Sequence, residues 1–231
     1  DNINKDIDEI TNSKNYKTNF KEYHYNESPR IVEAWRKSNN VYDLAHNKNI
    51  LGALWKLYRR RPMPFSTINF IKGTSQPIHS DNIHFDSIPN RYLAGVWIAL
   101  EDTDGTNGPI CVYPKSHATK TIFMNDLGLP PANKHNLKEV YSEYEKGISK
   151  LIENNKFVKK EIHLKKGQAL IWSANMLHGG KEITDQNRTR KSQVTHYHFD
   201  GCSIYYNPLY SEPHLKIYKE RDMKVHEITR S

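Results

Sequence analysis

Residues 76–85 read QPIHSDNIHF, a stretch in which two histidines and an aspartate fall close together. On an extended segment, side chains two positions apart project to the same side. His79 and Asp81 can therefore present an imidazole and a carboxylate to one metal ion. With one distant histidine they would form the two-histidine, one-carboxylate face of a non-haem Fe(II) oxygenase, which leaves coordination positions open for a cosubstrate and dioxygen. The pair is a weak signal by itself, since His84-Phe85-Asp86 repeats it and would face the other way on a continuing strand.

A third ligand must come from another part of the chain. In GQALIWSANMLHGG, residues 167–180, a turn at Gly167 and a short strand lead to His178, directly before two glycines. This separation from His79 suits ligands that meet from distant strands. Three further histidines compete for the role: His163, His196 and His198.

An arginine follows this segment. Arg190 opens RKSQVTHYHF, residues 190–199, and a guanidinium is the natural bidentate partner of a carboxylate at the end of a pocket. Arg188 has the same parity along the chain, so strand alternation alone does not choose between the two.

The composition limits the functional classes. The 231 residues, 36% of them hydrophobic, suffice for one domain with a modest core. The net charge of +8 comes from scattered lysines, and the single tight basic cluster, Arg59-Arg60-Arg61, is typical of a solvated face, so we expect neither nucleic-acid nor membrane partners. No apolar run approaches the roughly 18 residues of a membrane span. Cys111 and Cys202 are too few for a disulfide framework, which favours a reduced, cytoplasmic protein. A chain that begins at Asp1, without Met, is expected to be either trimmed or part of a longer protein.

The order of predicted elements favours a mainly β fold. Residues 1–27 are polar, and we expect an irregular segment there. Ser28 and Pro29 are typical of a helix start, and residues 48–60 carry apolar side chains at helical spacing. Residues 118–157 contain a helical insertion. The predicted strands are FSTINFI, RYLAGVWIAL, PICVY, KKEIHL, QALIW and KSQVTHYHF. Because helices and strands do not alternate, we predict one domain over residues 28–231 with a jelly-roll fold, whose ligand site lies in its mouth.

Four segments, in this order, make the chain similar to the phytanoyl-CoA dioxygenase family of Fe(II)/2-oxoglutarate oxygenases. They are QPIHSDNIHF, YLAGVWIALEDTDGTNGPICVYPKSHA, GQALIWSANMLHGG and RKSQVTHYHF, and together they span most of residues 28–200. The resemblance implies a double-stranded β-helix, which is the jelly-roll form that the strands predict.

The resemblance also implies roles for individual residues. Three of them match the family's iron ligands: His79, Asp81 and His178. Three match positions that bind 2-oxoglutarate: Arg190, in preference to Arg188, with Gln76 and Trp97 lining the cosubstrate pocket. The family usually has glycine where Lys115 stands, so we expect that loop to differ locally.

The implied reaction couples decarboxylation of 2-oxoglutarate to succinate with hydroxylation of a substrate C–H bond, using Fe(II) and dioxygen. Asp81 favours hydroxylation over halogenation, since related iron halogenases have a small residue there to admit chloride. Three segments could form lids over the site, and all are rich in Lys, Arg, Tyr and Asn. They are residues 82–92, residues 118–157 and the tail after Tyr205. They favour a small polar substrate, such as a sugar, a nucleotide-linked sugar, an amino-acid derivative or an acyl-CoA. Two alternatives stay open: an oxygenase acting on a protein side chain, and a catalytically inactive jelly-roll binding module. The sequence does not predict the oligomeric state.

Overall fold

The computed structural model describes residues 2–13, 30–223 and 227–229. Its α-helices are α1 (Asn2–Asn12), α2 (Asn39–Ala45), α3 (Lys48–Tyr58) and α4 (Leu137–Asn154). Its strands are β1 (Arg30–Val32), β2 (Pro62–Phe70), β3 (Asp86–Ile88), β4 (Leu93–Ala99), β5 (Ile110–Val112), β6 (Lys160–Ile162), β7 (Ala169–Ser173), β8 (His178–Gly180), β9 (Ser192–Phe199) and β10 (Ile204–Tyr206). Among the described residues, no helix combines the length and apolar character needed to span a bilayer.

The strands form a double-stranded β-helix that does not close into a barrel. A five-stranded antiparallel sheet has the order β1-β2-β9-β4-β7, and a three-stranded sheet has the order β6-β5-β8. A two-stranded sheet pairs β10 with β3. One buried cluster joins side chains from the first two sheets: Phe70, Trp97, Ala99, Ile110, Val112, Trp172 and Val194. The two sheets therefore enclose a common interior, and the predicted mainly β jelly roll is confirmed.

Helix α3 covers the outer face of the large sheet. In β4 and β9 alternate side chains point to opposite faces, as the period of a strand requires. Leu54 of α3 is fully buried against one set, which includes Val96 and Tyr197. The other set, which includes Trp97 and His196, points into the space between the sheets. Burial of the helix on one face thus leaves the opposite face free to build a site.

The N-terminal prediction is wrong in two places. Asn2–Asn12 form α1 instead of an irregular segment, and Ile7 packs on Ile31 and Val41. Ser28 and Pro29 lie outside the described residues, and the helix expected after them is reduced to a 3-10 turn at Ala34–Arg36, because Arg30–Val32 pair with β2 as a strand. The β-branched Ile31 is buried there, and tertiary pairing overrides the local helix signals. The boundary at residue 28 stays a prediction.

Helix α4 confirms the predicted helical insertion. It packs against the segment that contains Ser80. Val140, Tyr144 and Ile148 are buried on one face. The Tyr144 hydroxyl lies 2.9 Å from Ser80 Oγ and accepts a hydrogen bond from the Ser80 backbone. Among the described residues, none of 118–157 lines the cavity into which His79, Asp81 and His178 project. The insertion therefore holds the segment around Ser80 in place, and the expectation that it is a lid over the cavity finds no support in this arrangement.

Candidate metal centre and cosubstrate pocket

His79, Asp81 and His178 form the one cluster among the described residues whose ligand atoms lie close enough to hold a metal ion, all within 4.8 Å of one another. Asp81 Oδ1 lies 3.7 Å from His79 Nε2 and 3.6 Å from His178 Nε2. The backbone joins the two histidines, since each donates its N–H to the carbonyl of the other at 2.9 Å. All three side chains are buried. A β-bridge thus brings together residues that are far apart in the sequence.

The chain reaches this geometry by a turn, which the sequence pattern did not predict. His79 has strand-like pairing with His178, but Asp81 begins a short 3-10 helix, Asp81–Ile83. The backbone N–H of Asn82 is bonded to the Ala174 carbonyl at 3.0 Å. The carboxylate therefore meets the imidazoles through a turn, and the assumption of one extended segment from His79 onward is wrong.

Backbone carbonyls fix both imidazoles in the same tautomer. His79 Nδ1 lies 2.9 Å from the Pro77 carbonyl, and His178 Nδ1 lies 3.0 Å from the Met176 carbonyl. A carbonyl only accepts hydrogen bonds, so each Nδ1 carries the proton and each Nε2 presents a lone pair to the carboxylate side. Burial lowers the pKa of His178 to about 4, despite attraction to Asp81. The imidazole is therefore neutral at physiological pH, as a metal ligand must be.

The second oxygen of Asp81 is held by the large sheet. Trp172 Nε1 donates to Asp81 Oδ2 at 2.7 Å, and His196 Nε2 lies 3.6 Å from the same oxygen. Burial acts to raise the pKa of Asp81, but the surrounding imidazoles, His178 first and then His196 and His79, outweigh it and hold the pKa well below its ordinary value. The carboxylate is ionised, with Oδ1 directed at the two histidines.

Gly95 gives Trp172 the room to reach Asp81. The two residues are paired across β4 and β7, and a Cβ atom at Gly95 would lie 2.5 Å from the indole ring of Trp172. Since the obstruction involves a buried ring rather than a flexible tip, any side chain here would displace the indole. This glycine is required for close approach, as glycines in strands often are.

The cluster opens on a cavity of about 450 Å³ between the two sheets. This volume is typical of small-molecule sites. The register of β2 against β9 shifts between Pro64 and Ser66, a bulge that lets the consecutive Phe65 and Ser66 both line the cavity. All three residues predicted to contact 2-oxoglutarate line it as well: Gln76, Trp97 and Arg190.

Arg190 is a buried cation with unused donors. Its Nη1 donates to the Gly108 carbonyl at 2.8 Å, and its guanidinium lies 5.6 Å from the Trp97 ring centroid and 5.8 Å from that of Phe70. Arg190 Nε and Trp97 Nε1 are buried and have no hydrogen-bond partner among the described residues. Burial lowers the pKa of Arg190 to about 10, so it is charged at neutral pH. Such a group fits an anionic ligand.

Arg188 lies outside the cavity. It follows a turn, with its backbone N–H bonded to the Asp185 carbonyl, and its Nη1 forms an ion pair with Asp104 at 2.9 Å. The backbone of Arg190, in contrast, is bonded to the Ile71 carbonyl beside β2. Alternation failed to separate the two arginines because the regular strand begins only at Ser192.

Gln76 links the cavity to the metal cluster. Its Oε1 accepts from Arg30 Nη2 at 2.7 Å, and its Nε2 lies 3.1 Å from His79 Nε2. The polypeptide is tightly packed here, since a Cβ atom at Gly179 would lie 2.7 Å from the Gln76 carbonyl. The two glycines after His178 therefore allow β8 to lie directly on the segment that carries Gln76.

The second His-x-Asp copy has a different arrangement. His84 lines the cavity and stacks on Tyr141 with ring centroids 5.8 Å apart. Asp86 lies in β3, where its Oδ1 accepts backbone hydrogen bonds from Ser87 at 2.8 Å and Arg91 at 3.3 Å. The carboxylate of Asp86 thus supports a loop and does not belong to the metal cluster.

Asp86 makes the stability of the fold depend on pH. Burial raises its pKa to about 6, from an ordinary value of 3.8. Between these two pH values the folded state binds more protons than the unfolded state, so the free energy of unfolding falls as pH rises. Above about pH 6 the destabilisation by the buried, ionised carboxylate is complete. A shift of about two pKa units corresponds to as much as about 3 kcal/mol. We expect Asp86→Asn, which keeps the Oδ1 acceptor, to stabilise the fold at pH 8 but not at pH 4. Urea unfolding at both values measures this, and an equal effect at the two would contradict it.

Sequence reasoning missed several residues of the site. No sequence motif marks Trp172 as a site residue. Its indole reaches Asp81 only because of how the strands pair. His196 was named only as a competitor for the third-ligand role, although alternation from Val194 along β9 does indicate an inward position. His163 is an outer histidine beside Glu161, and buried His198 lies 3.3 Å from Glu227. Arg221 of the C-terminal tail also lines the cavity.

Comparison with known proteins gives one family and a consistent fold. A model of the family described as phytanoyl-CoA dioxygenase (PhyH) matches residues 1–192. A search of curated proteins finds no significant match. Among solved structures, the non-heme alpha ketoglutarate dependent carbocyclase SnoK from nogalamycin biosynthesis has a TM-score of 0.65 at 15% identity, covering 95% of this chain and 83% of its own.

Two further structures have the same fold. The epimerase SnoN, in complex with Fe3+, alpha ketoglutarate and nogalamycin RO, has a TM-score of 0.57 at 14% identity and covers 84% of this chain and 73% of its own. EctD from S. alaskensis with bound Fe has a TM-score of 0.55 at 18% identity, covering 74% of this chain. The match spans 56% of EctD. At these identities the likeness concerns the fold.

Proposed function

The chain belongs to the phytanoyl-CoA dioxygenase family and is an Fe(II)- and 2-oxoglutarate-dependent enzyme, and we propose that His79, Asp81 and His178 hold its iron. The observation that carries this proposal is the convergence of one carboxylate oxygen and two imidazole Nε2 atoms, all within 4.8 Å. Two neutral imidazoles and one carboxylate are the donor set of non-haem Fe(II) oxygenases. Fe(II) held there would supply the redox chemistry that couples dioxygen to oxidation of the substrate.

We propose that Arg190 binds the distal carboxylate of 2-oxoglutarate. The free Nε of Arg190 and the free Nε1 of Trp97 are buried donors in the same cavity as the metal cluster. A carboxylate there would neutralise the guanidinium and accept hydrogen bonds that no described residue accepts. Gln76, which lies between Arg30 and His79, would line the path between the carboxylate and the metal.

The proposed reaction is hydroxylation of a C–H bond in a small polar metabolite, with 2-oxoglutarate converted to succinate. Phe65, Phe85 and Ile68 line the cavity and would shield the reacting bond from water. Asp81 occupies the carboxylate position, which supports hydroxylation over halogenation. We place the enzyme in a reducing compartment, the cytoplasm, since Cys111 and Cys202 are both free thiols.

The first test loads the wild-type protein with Fe(II) under anaerobic conditions and adds 2-oxoglutarate. We expect a weak visible metal-to-ligand charge-transfer band, followed on exposure to air by release of succinate. A protein that retains iron but shows no band would contradict the cosubstrate assignment, and one that retains no iron would leave the metal assignment without support.

Trp172→Phe tests how the site controls its carboxylate. Phenylalanine keeps an aromatic ring in the space that Gly95 provides but removes the hydrogen bond to Asp81 Oδ2. Loss of a partner that orients a metal ligand typically costs about 10- to 100-fold in metal affinity. We expect a loss of that size in anaerobic Fe(II) titration. Trp35→Phe is the matched control, because Trp35 Nε1 donates to Glu33 away from the site; equal effects of the two changes would refute the assigned role.

A further inference from the structure

The C-terminal tail places a second arginine on the wall of the cavity. Arg221 lines the same space as the metal cluster and Arg190. It follows β10 and lies beyond residue 192, where the match to the family ends. It is therefore a feature of this chain that the family assignment does not account for.

The backbone on both sides of Arg221 is fixed. Its N–H is bonded to the Tyr205 carbonyl at 2.8 Å, and the preceding Glu220 forms a β-bridge with Tyr206. Two residues later Met223 is buried in a cluster that includes Phe65 and Phe85. The tail is thus anchored before and after the arginine, and Arg221 is part of the cavity wall instead of a free end.

Among the described residues, no carboxylate compensates the charge of Arg221. Burial lowers its pKa, and no described group acts in the opposite direction. Arg188 shows the ordinary alternative, since its ion pair with Asp104 raises its pKa. A half-buried cation beside aromatic side chains loses hydration that only an anion or hydrogen-bond acceptors can replace.

The wall beside Arg221 leads to the metal cluster. The Phe85 ring centroid lies 4.9 Å from that of His196, and His196 Nε2 lies 3.6 Å from Asp81. A molecule whose charged end is at Arg221 can therefore lie along Phe65 and Phe85 with its other end near the metal. Arg190 lies 5.8 Å from the Phe70 ring centroid, and we place 2-oxoglutarate at that part of the lining.

We propose that the substrate is an organic anion, a carboxylate or a phosphate, whose charged group is bound by Arg221. This inference rests on the proposed function, since it assigns the remaining part of the cavity to the substrate. An anionic end recognised by a guanidinium also fixes the orientation of the molecule, so that one C–H bond is presented to the metal.

The test measures binding of three probes to protein loaded with Zn(II) and saturated with 2-oxoglutarate. Phenyl phosphate and benzoate are the anionic probes, and benzyl alcohol is the neutral one. We expect calorimetry to show binding of at least one anion and much weaker binding of the alcohol. Arg221→Met should lower the affinity of that anion about 10- to 100-fold, and Arg221→Lys should retain part of it. Arg188→Met, at a solvent-exposed arginine, is the matched control.

The outcomes distinguish a phosphorylated substrate from a carboxylate. They also distinguish failure of the anion inference from failure of the proposed function. Preference for phenyl phosphate identifies a phosphorylated substrate, and preference for benzoate identifies a carboxylate. Equal binding of benzyl alcohol, no binding of either anion, or unchanged binding in a correctly folded Arg221→Met protein overturns the inference. The charge-transfer band of wild type with Fe(II) and 2-oxoglutarate is independent of all three probes, so its absence identifies failure of the proposed function instead.

Discussion

Asp81→Ala is expected to abolish retention of Fe(II) and the charge-transfer band with 2-oxoglutarate. Asp81 is the single anionic member of the cluster, and its Oδ1 lies between the two imidazole Nε2 atoms. Without it, two neutral imidazoles face the ion. Because loss of a group that merely orients a ligand costs about 10- to 100-fold in affinity, loss of the ligand itself should cost more than about 100-fold. Anaerobic Fe(II) titration with the visible band as signal measures both effects.

The matched control is Asp86→Asn, which changes the second His-x-Asp copy. Asp86 contacts the backbone of Ser87 and Arg91 and lies outside the cluster, so iron affinity should equal that of wild type. Thermal unfolding of Asp81→Ala shows whether the variant is folded. A folded Asp81→Ala protein that retains the band, or loss of the band only in Asp86→Asn, would mean that the metal is held elsewhere.

Arg190→Met is expected to remove most of the affinity for 2-oxoglutarate while iron binding persists. The side chain is buried at the cavity wall, and its replacement would leave a buried carboxylate without its partner. Truncation of one partner in such a pair costs about 2–5 kcal/mol, or about 30- to 4,000-fold. Titration of 2-oxoglutarate into Fe(II)-loaded protein, followed by the visible band, gives the dissociation constant.

Two comparisons make the Arg190 result decisive. Arg188→Met removes an arginine of the same parity whose partner is Asp104 at the surface, and it should leave the affinity unchanged. The stability of the metal-free protein should fall little in Arg190→Met, because removal of a buried cation without a carboxylate partner offsets loss of the hydrogen bond to Gly108. If Arg188→Met alone weakens 2-oxoglutarate binding, the assignment of the two arginines is reversed.

The cluster of three candidate ligands was predictable from the sequence, but the groups that contact it were not. Two imidazoles and a carboxylate are a known set of metal donors, and the sequence offers them at His79, Asp81 and His178. Strand segments such as KSQVTHYHF alternate in a way that predicts which side chains face inward. The contact between Trp172 and Asp81 depends on strand register and on the missing side chain of Gly95. No local pattern encodes register between strands far apart in the chain.

The misassigned elements have a similar cause. Arg30–Val32 follow residues typical of a helix start, yet β2 offers a partner strand and Ile31 gains burial there. Helix α1 looks too polar to be ordered, but it buries Ile7 against Ile31 and Val41. Arg221 could not be assigned from sequence, because its place in the cavity depends on how Met223 anchors the tail.

The carbonyls that hold the two histidine rings have a consequence for how this centre can change over evolution. Each acceptor is the main-chain oxygen two residues before its histidine, at Pro77 and at Met176. No single amino-acid replacement at either position deletes a main-chain oxygen. The tautomer of each imidazole is therefore set by the backbone conformation and not by a neighbouring side chain. The carboxylate, in contrast, is steered by the side chains of Trp172 and His196. Substitutions at Trp172 or His196 can therefore change how strongly the Asp81 carboxylate donates to a bound metal. The protonation of the two imidazoles stays the same.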